Sequence, residues 1–73
     1  AYYEFAENVM TSRQNGVAMP EVINIIPSDA GILISIVRDA YDRPRMSVEE
    51  NQRRYITDFS NDIYGWCLDM FDQ

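Results

Sequence analysis

The segment from residue 47 to residue 72, SVEENQRRYITDFSNDIYGWCLDMFD, decides the fold of this chain. Ser47 followed three residues later by Glu50 is a capping box, in which each side chain satisfies a free backbone N–H at a helix start. Apolar residues then recur at helical spacing with no proline among them: Val48, Tyr55, Ile56, Phe59, Ile63, Trp66, Cys67 and Met70. The pattern predicts one helix from Val48 almost to Asp72, in which Gly65 indicates a bend or a close backbone approach.

The first third of the chain predicts two shorter helices. Between Tyr2 and Arg13 the apolar residues share one helical face, and Asn15 with Gly16 predicts the end of that helix near Asn15, because both tolerate a left-handed backbone. Residues 19–27 read MPEVINIIP. Pro20 suits a first helical position, and Pro27 disfavours helical geometry at the residue before it. A helix of about two turns is expected there, and the β-branched content leaves a strand open.

Residues 28–44 predict a third helix. Ser28 suits its N-cap, Asp29 suits its first turn, and Pro44 stops it. An apolar stripe lies between these signals: Leu33, Ile36, Val37, Ala40 and Tyr41. Residues 32–37 would also serve as a buried strand, but residues 38–42 continue the helical period and favour a helix.

These elements predict one all-α domain over residues 1–73, a small bundle of three to four helices with the long C-terminal helix as its spine. The predicted core is Phe5, Val9, Met10, Ile23, Ile26, Leu33, Ile36, Val37, Ala40, Tyr55, Ile56, Phe59, Ile63, Trp66, Cys67 and Met70. A chain of this length buries only about 60% of its unfolded surface, and one cysteine cannot form an internal disulfide. Helical packing and self-association are the remaining sources of stability, so a homodimer stays open.

The composition argues against an enzyme. The chain has no histidine and no lysine, and its only cysteine is Cys67, whereas catalysis near neutral pH draws mainly on these three residue types. A structural zinc site needs several cysteines and histidines. A pair of catalytic carboxylates needs a cleft that so short a chain can hardly build. We therefore predict no catalytic residue, no metal site and no cofactor.

The charge balance restricts the class of partner. Twelve acidic residues against six arginines give a net charge of −6, which phosphate backbones and anionic membranes repel, so direct nucleic-acid binding is not expected. The charge suits a basic protein partner or an imitation of nucleic acid, and equally a soluble surface without a partner. No apolar run approaches the ~20 residues that span a bilayer.

Three short motifs resemble a family pattern. Residues 13–19 read RQNGVAM, residues 40–45 read AYDRPR and residues 59–67 read FSNDIYGWC. Their order resembles the RQ-x-G-V-x-M, AY-x-x-PR and F-x-NDIY-x-x-C pattern of short proteins encoded by tailed phages and prophages of enteric and related bacteria. The resemblance implies a phage-derived accessory protein, and it carries over no site residue because the family has no assigned activity. Many members carry an export signal, so a signal before Ala1 would imply an exported protein, and its absence the host cytoplasm.

The turn from Tyr41 to Arg45 is the first candidate for a binding site. Arg43 and Arg45 flank the stiff Pro44 in the most cation-rich part of the chain. Their planar guanidinium groups suit bidentate binding of carboxylate or phosphate. The structural alternative is that these arginines interact favourably with the C-terminal end of the third helix dipole and pair with neighbouring acids, namely Asp39, Asp42 or Glu49.

An acidic row on the last helix is the second candidate, formed by Asp58, Asp62, Asp69 and Asp72 at intervals of 4, 7 and 3 residues. Like charges one turn apart, and acids at a helix C-terminus, are both unfavourable. The pattern therefore indicates docking of a basic partner, with an ordinary solvated face as the alternative. A calcium site is disfavoured because further oxygen ligands are lacking.

Two tyrosines and the cysteine complete the candidates. Tyr3 and Tyr64 fall off the apolar stripes and are expected at the surface, where tyrosine often contributes to protein interfaces; the alternative is that they rim the core. Cys67 lies on the predicted core face as an inert thiol, unless it bridges two copies of an exported chain.

The sequence thus predicts a non-enzymatic accessory protein that binds a host or phage protein. The predicted contact residues are Tyr41, Arg43, Arg45, Tyr64, Asp58, Asp62 and Asp69. Two alternatives remain, an acidic mimic of nucleic acid that blocks a DNA-binding protein, and a self-associating structural component.

Overall fold

The computed structural model describes residues 2–71, and the side chains of residues 2–70. Four helices and no strand occupy that part of the chain: α1 Tyr2–Gln14, α2 Met19–Asn24, α3 Gly31–Asp42 and α4 Glu49–Phe71. The predicted all-α bundle with a long C-terminal helix is confirmed. Both segments for which a strand was open, in α2 and at residues 32–37, are helical.

The helix α1 lies at the centre of the bundle. Its most extensive packing is with α4, it also packs on α3 and α2, and direct packing between α3 and α4 is slight. Tyr3 near the start of α1 meets Tyr64 near the end of α4, with ring centroids 6.2 Å apart, so the two helices are antiparallel. The predicted spine role of α4 therefore belongs to α1.

The end of α1 has the hydrogen bonds of a Schellman motif. The N–H of Val17 donates to the carbonyl of Ser12 at 3.0 Å, and that of Gly16 donates to the carbonyl of Arg13 at 3.1 Å. Gly16 has φ +82°, a left-handed conformation that glycine adopts without a Cβ clash. The predicted helix end near Asn15 is confirmed.

The two predicted N-caps are wrong. At α3 the N-cap residue is Ala30, which makes no side-chain hydrogen bond. Ser28 lies in a turn before the helix, where the Ala30 N–H donates to the Pro27 carbonyl at 3.0 Å. At α4 the Val48 carbonyl accepts the first helical bond, from Gln52 N–H at 2.9 Å, so the helix starts one residue later than a capping box at Ser47 requires.

The core lies where α1 meets α3 and α4. Seven predicted core residues are buried: Val9, Met10, Ile36, Val37, Ala40, Phe59 and Ile63. Six more pack against them while partly exposed: Phe5, Ile23, Ile26, Tyr55, Ile56 and Cys67. Leu33 is half-buried. Ala6 and Val22 are buried although neither was in the predicted core.

Two predicted core residues lie at the surface instead. Trp66 is 42% exposed and Met70 is 40% exposed, although both continue the apolar stripe of α4. Trp66 lies beside Ser35 and Asp39 of α3, at a groove that the packed helices leave open. No helix within residues 2–71 is both long enough and apolar enough to cross a bilayer.

Candidate protein-binding surface

The predicted arginine turn packs against the end of α1. Arg13 Nε donates to the Arg43 carbonyl at 3.1 Å, and Arg45 Nε donates to the Gln14 carbonyl at 3.1 Å. We call the side chains of Arg13, Gln14, Tyr41, Arg43 and Arg45 the clasp. The clasp joins the α1–α2 connection to the α3–α4 connection, which lie about 30 residues apart in the chain and meet in space.

Gln14 is the buried centre of the clasp. Its side chain is 1% exposed, its Nε2 donates to the Pro44 carbonyl at 3.1 Å, and its Oε1 accepts the Met46 N–H at 2.7 Å. Gln14 was not among the predicted site residues. Its position one turn after Met10, on the apolar face of α1, indicates a buried role, because a polar side chain there needs hydrogen-bond partners.

Arg43 is engaged on three sides. Its guanidinium carbon lies 4.7 Å from the centroid of the Phe59 ring. Its terminal nitrogens lie 2.9 Å from an oxygen of Asp62 and 3.6 Å from an oxygen of Asp39. The predicted structural alternative, pairing with Asp39, is thus present. The other two acids named for it, Asp42 and Glu49, make no ion pair with Arg43, and Glu49 pairs with Arg53 at 2.8 Å.

Tyr41 and Arg45 are held as firmly. The Tyr41 hydroxyl donates to the Val17 carbonyl at 2.6 Å, and the Arg13 guanidinium lies 5.3 Å from the Tyr41 ring centroid. Burial raises the pKa of the Tyr41 phenol, the charge of Arg13 opposes that shift, and the charge of Glu21 adds to it. The Arg45 guanidinium fits against Gly16, so closely that a Cβ there would lie 2.8 Å from its Nη2.

The acidic row is exposed along α4. Asp58, Asp62 and Asp69 all lie at the surface, and Asp72 lies outside the described residues. Asp62 pairs with Arg43. Asp58 and Asp69 form no ion pair with any cation that the structure describes. These two carboxylates are therefore available to an outside cation.

An apolar groove runs beside the acidic row, between α3 and α4. The pocket in it has a volume of about 260 Å³ and is lined by Ser35, Asp39, Asp62, Ile63 and Trp66. We call it the α3–α4 groove. Met70, which is 40% exposed, lies one helical turn beyond Trp66 on α4. The sequence did not indicate this surface because both residues follow the core periodicity.

Tyr64 lies away from this groove. It is 51% exposed, as predicted, and its ring packs edge-on against Tyr3, which is half-buried. A wide, shallow depression of about 520 Å³ lies there, lined also by Glu4 and Asn61. The structure therefore separates Tyr64 from Tyr41, Arg43 and Arg45, with which it was grouped.

A thiol and a second groove are the remaining features. Cys67 is a free, half-buried thiol at the edge of the core. Among the described residues, no group of three side chains is placed to hold a metal ion. A second apolar groove of about 260 Å³ lies between α1 and α2, where Ile25 is 82% exposed. We call it the α1–α2 groove.

The molecule is thus a small all-α domain with an acidic, partly apolar surface on its longest helix. Comparisons with protein-family models, with the curated proteins and with the solved structures find no match for this chain.

Proposed function

We propose that this chain is a non-enzymatic accessory protein of phage or prophage origin that acts by binding a protein of the phage or its host through the α3–α4 groove. The observation that carries the proposal is the exposure of Trp66 on the helix face where Phe59 and Ile63 are buried. Tryptophan is among the residues that contribute most to binding energy in protein interfaces. An uncovered tryptophan beside a pocket is therefore the strongest interaction feature of this surface.

The proposal moves the contact from the predicted arginine turn to α4. Arg43 donates from Nη1 to Asp62, and Arg45 donates from Nε to the Gln14 carbonyl. A partner's carboxylate at Arg43 would therefore compete with Asp62. Asp62 lines the groove, Asp69 follows Trp66 by about one helical turn, and both stay in the proposed contact. Tyr41 and Tyr64 take no part in it.

The non-enzymatic part of the proposal rests on the available side chains. Catalysis near neutral pH mainly uses histidine, lysine or cysteine, and Cys67 is the chain's only member of that group. It has no histidine or lysine to activate it, and the core covers part of it.

Affinity capture with paired variants tests the proposal. The bait is the wild-type chain, Trp66→Gln with Met70→Gln, or Arg13→Ala with Arg45→Ala, in lysate of an enteric bacterium. We expect the first double variant to lose a specific protein that the wild type retains, and the second to retain it once folding is verified by circular dichroism. Loss of the captured protein with the arginine variant alone would return the site to the turn.

The acidic row favours a second candidate, a mimic of nucleic acid. Asp58 to Asp69 spans eleven residue steps, or about 17 Å at 1.5 Å per residue. One DNA strand carries roughly five phosphates over that length, at one per 3.4 Å, whereas the row has three carboxylates, one of them paired with Arg43. We rank this candidate second for that reason. Its test is affinity for a DNA-binding protein, which must fall steeply as salt rises.

Self-association is the third candidate, because a second copy could cover Trp66 and Met70. It would bring together two chains of net charge −6, which disfavours it at low ionic strength. Sedimentation of a concentration series tests it, since a mass that stays monomeric would contradict it.

A further inference from the structure

We infer that the α3–α4 groove receives a basic amphipathic helix, which places an apolar side chain beside Trp66 and Lys or Arg side chains against the neighbouring aspartates. This inference rests on the proposed function and specifies the chemistry of the partner. It draws on the shape of the groove, the charges along its two sides, and the net charge of the chain.

The groove fits one apolar side chain. Its floor includes Ile63, which is buried, and one wall is the half-open face of Trp66. Its volume of about 260 Å³ lies below the range of roughly 300–1,000 Å³ that small-molecule sites occupy. Insertion of a leucine-sized group is the kind of contact by which helices dock in grooves, with residues one turn apart as anchors.

Carboxylates border the groove on both sides. On α4, Asp62 and Asp69 lie four residues before and three residues after Trp66, which places both next to it on the helix surface. Across the groove, Asp39 of α3 lines the same pocket. Arg43 bridges Asp39 and Asp62 at one end, so three carboxylates and one guanidinium leave a local charge of −2.

This arrangement is the complement of a basic amphipathic helix. Such a helix has an apolar stripe with cations on either side of it, and the groove has an apolar strip with carboxylates on either side. Asp69 has no ion pair within the part of the chain that the structure describes. It is therefore the carboxylate best placed to gain a partner's cation without breaking an existing pair.

The same charges disfavour the other occupants. A second copy would add a further net charge of −6. Nucleic acids and anionic lipid surfaces would meet like charge. A neutral apolar peptide would bring no cation to Asp69, which has no ion pair among the described residues.

Fluorescence of Trp66, the only tryptophan, reports the contact directly. The probe is a peptide of leucine and lysine about 18 residues long, five helical turns, with leucines at helical spacing. One control peptide has the same composition with leucine and lysine alternating, and another has glutamate in place of lysine. We expect a blue shift of Trp66 emission with the first peptide alone.

Matched variants test the charge term. Asp69→Asn removes a carboxylate beside the groove, and Asp29→Asn removes an exposed one in the α2–α3 connection. An exposed ion pair changes affinity by at most about five-fold. We therefore expect the dissociation constant to rise about two- to five-fold for Asp69→Asn and to stay unchanged for Asp29→Asn.

The results distinguish a basic helical partner from the more general use of the α3–α4 groove as a docking site. Equal binding of both lysine peptides, or equal effects of the two variants, would overturn the inference, since plain charge attraction would then suffice. A response to the glutamate peptide alone would overturn the basic partner while supporting the groove as a docking site. No response with a concentration-dependent dimer would assign the groove to a second copy. No response from a monomer would overturn the inference, and the affinity capture then decides the proposed function separately.

Discussion

The side-chain oxygen of Gln14 accepts a hydrogen bond of 2.7 Å from the backbone N–H of Met46, 32 residues further along the chain. The same amide donates to the Pro44 carbonyl. The Gln14 side chain is buried, and both of these bonds are part-buried. This one side chain therefore fixes how the connection before α4 meets the end of α1.

Removal of the Gln14 amide is expected to destabilise the protein strongly. Gln14→Leu keeps the volume but leaves the Met46 N–H and the Pro44 carbonyl without partners. A protein hydrogen bond contributes about 0.5–1.5 kcal/mol net, so for two bonds we expect the free energy of unfolding in urea to fall by about 1–3 kcal/mol. The exposed Asn61→Leu serves as the control, with a change within about 0.5 kcal/mol. Similar losses for both would show that the two bonds contribute little.

Two glycines are expected to respond oppositely to alanine. Gly16→Ala places a Cβ in a left-handed conformation that costs about 1–2 kcal/mol, and it displaces the Arg45 guanidinium, 2.8 Å away. Gly65→Ala meets nothing within 4 Å, so the predicted close approach at Gly65 is absent. In a helix interior that change should raise stability by about 0.5–1 kcal/mol. Thermal melts of both variants check this, and a destabilised Gly65→Ala would contradict it.

Alkaline pH is expected to weaken the fold through Tyr41. Burial raises its pKa above the ordinary value of 10.0, so the native state holds the phenol proton more tightly than the unfolded state. The resulting stability is fully present below pH 10.0 and is lost as the pH rises through the native pKa. Tyr41→Phe should show a smaller alkaline loss, at the cost of about 1 kcal/mol at neutral pH for the bond to Val17.

The measurement for Tyr41 is the free energy of unfolding between about pH 8 and about pH 11, a range that brackets tyrosine ionisation. Tyr64→Phe, on the exposed side of α4, is the matched control. Identical pH profiles for wild type and Tyr41→Phe would mean that Tyr41 contributes nothing to the alkaline loss.

Arg43 is expected to act more through Phe59 than through its ion pair with Asp62. The carboxylate of Asp62 is largely exposed, and exposed pairs contribute about 0.2–1 kcal/mol. The Arg43 guanidinium, in contrast, lies over the ring of the buried Phe59. A double-mutant cycle of Arg43→Met with Asp62→Asn should therefore give a coupling energy below about 1 kcal/mol. Arg43→Ala should destabilise more than Arg43→Met. A larger coupling energy would make the ion pair the main contribution.

The helix pattern of this chain was predictable because local signals mark it. Gly16 ends α1 through its backbone freedom, and Pro44 confines α3, since both effects act within a few residues. The predicted helix caps failed where a turn intervened, as at Ser28. A capping residue must sit at the first helical bond, and its position depends on the chain just before it.

The candidate site was less predictable because it depends on how the helices pack and on long-range contacts. Periodicity places Trp66 on the core face, but it does not reveal that Trp66 lies at an open groove beside α3. The bonding of Gln14 to Pro44 and Met46 is likewise invisible in local sequence. The arginines looked free for a partner, whereas the fold uses them to join two connections that are far apart in the chain.

Chemical-shift mapping by NMR tests whether a basic amphipathic helix binds in the α3–α4 groove. The isotope-labelled chain is titrated with the leucine–lysine helix, and the backbone and indole N–H signals are followed. We expect the largest changes at the groove residues Ser35, Asp39, Asp62, Ile63 and Trp66, and no change at the clasp residues Gln14, Tyr41 and Arg45. Largest changes at the clasp, at Tyr64 or in the α1–α2 groove would contradict it.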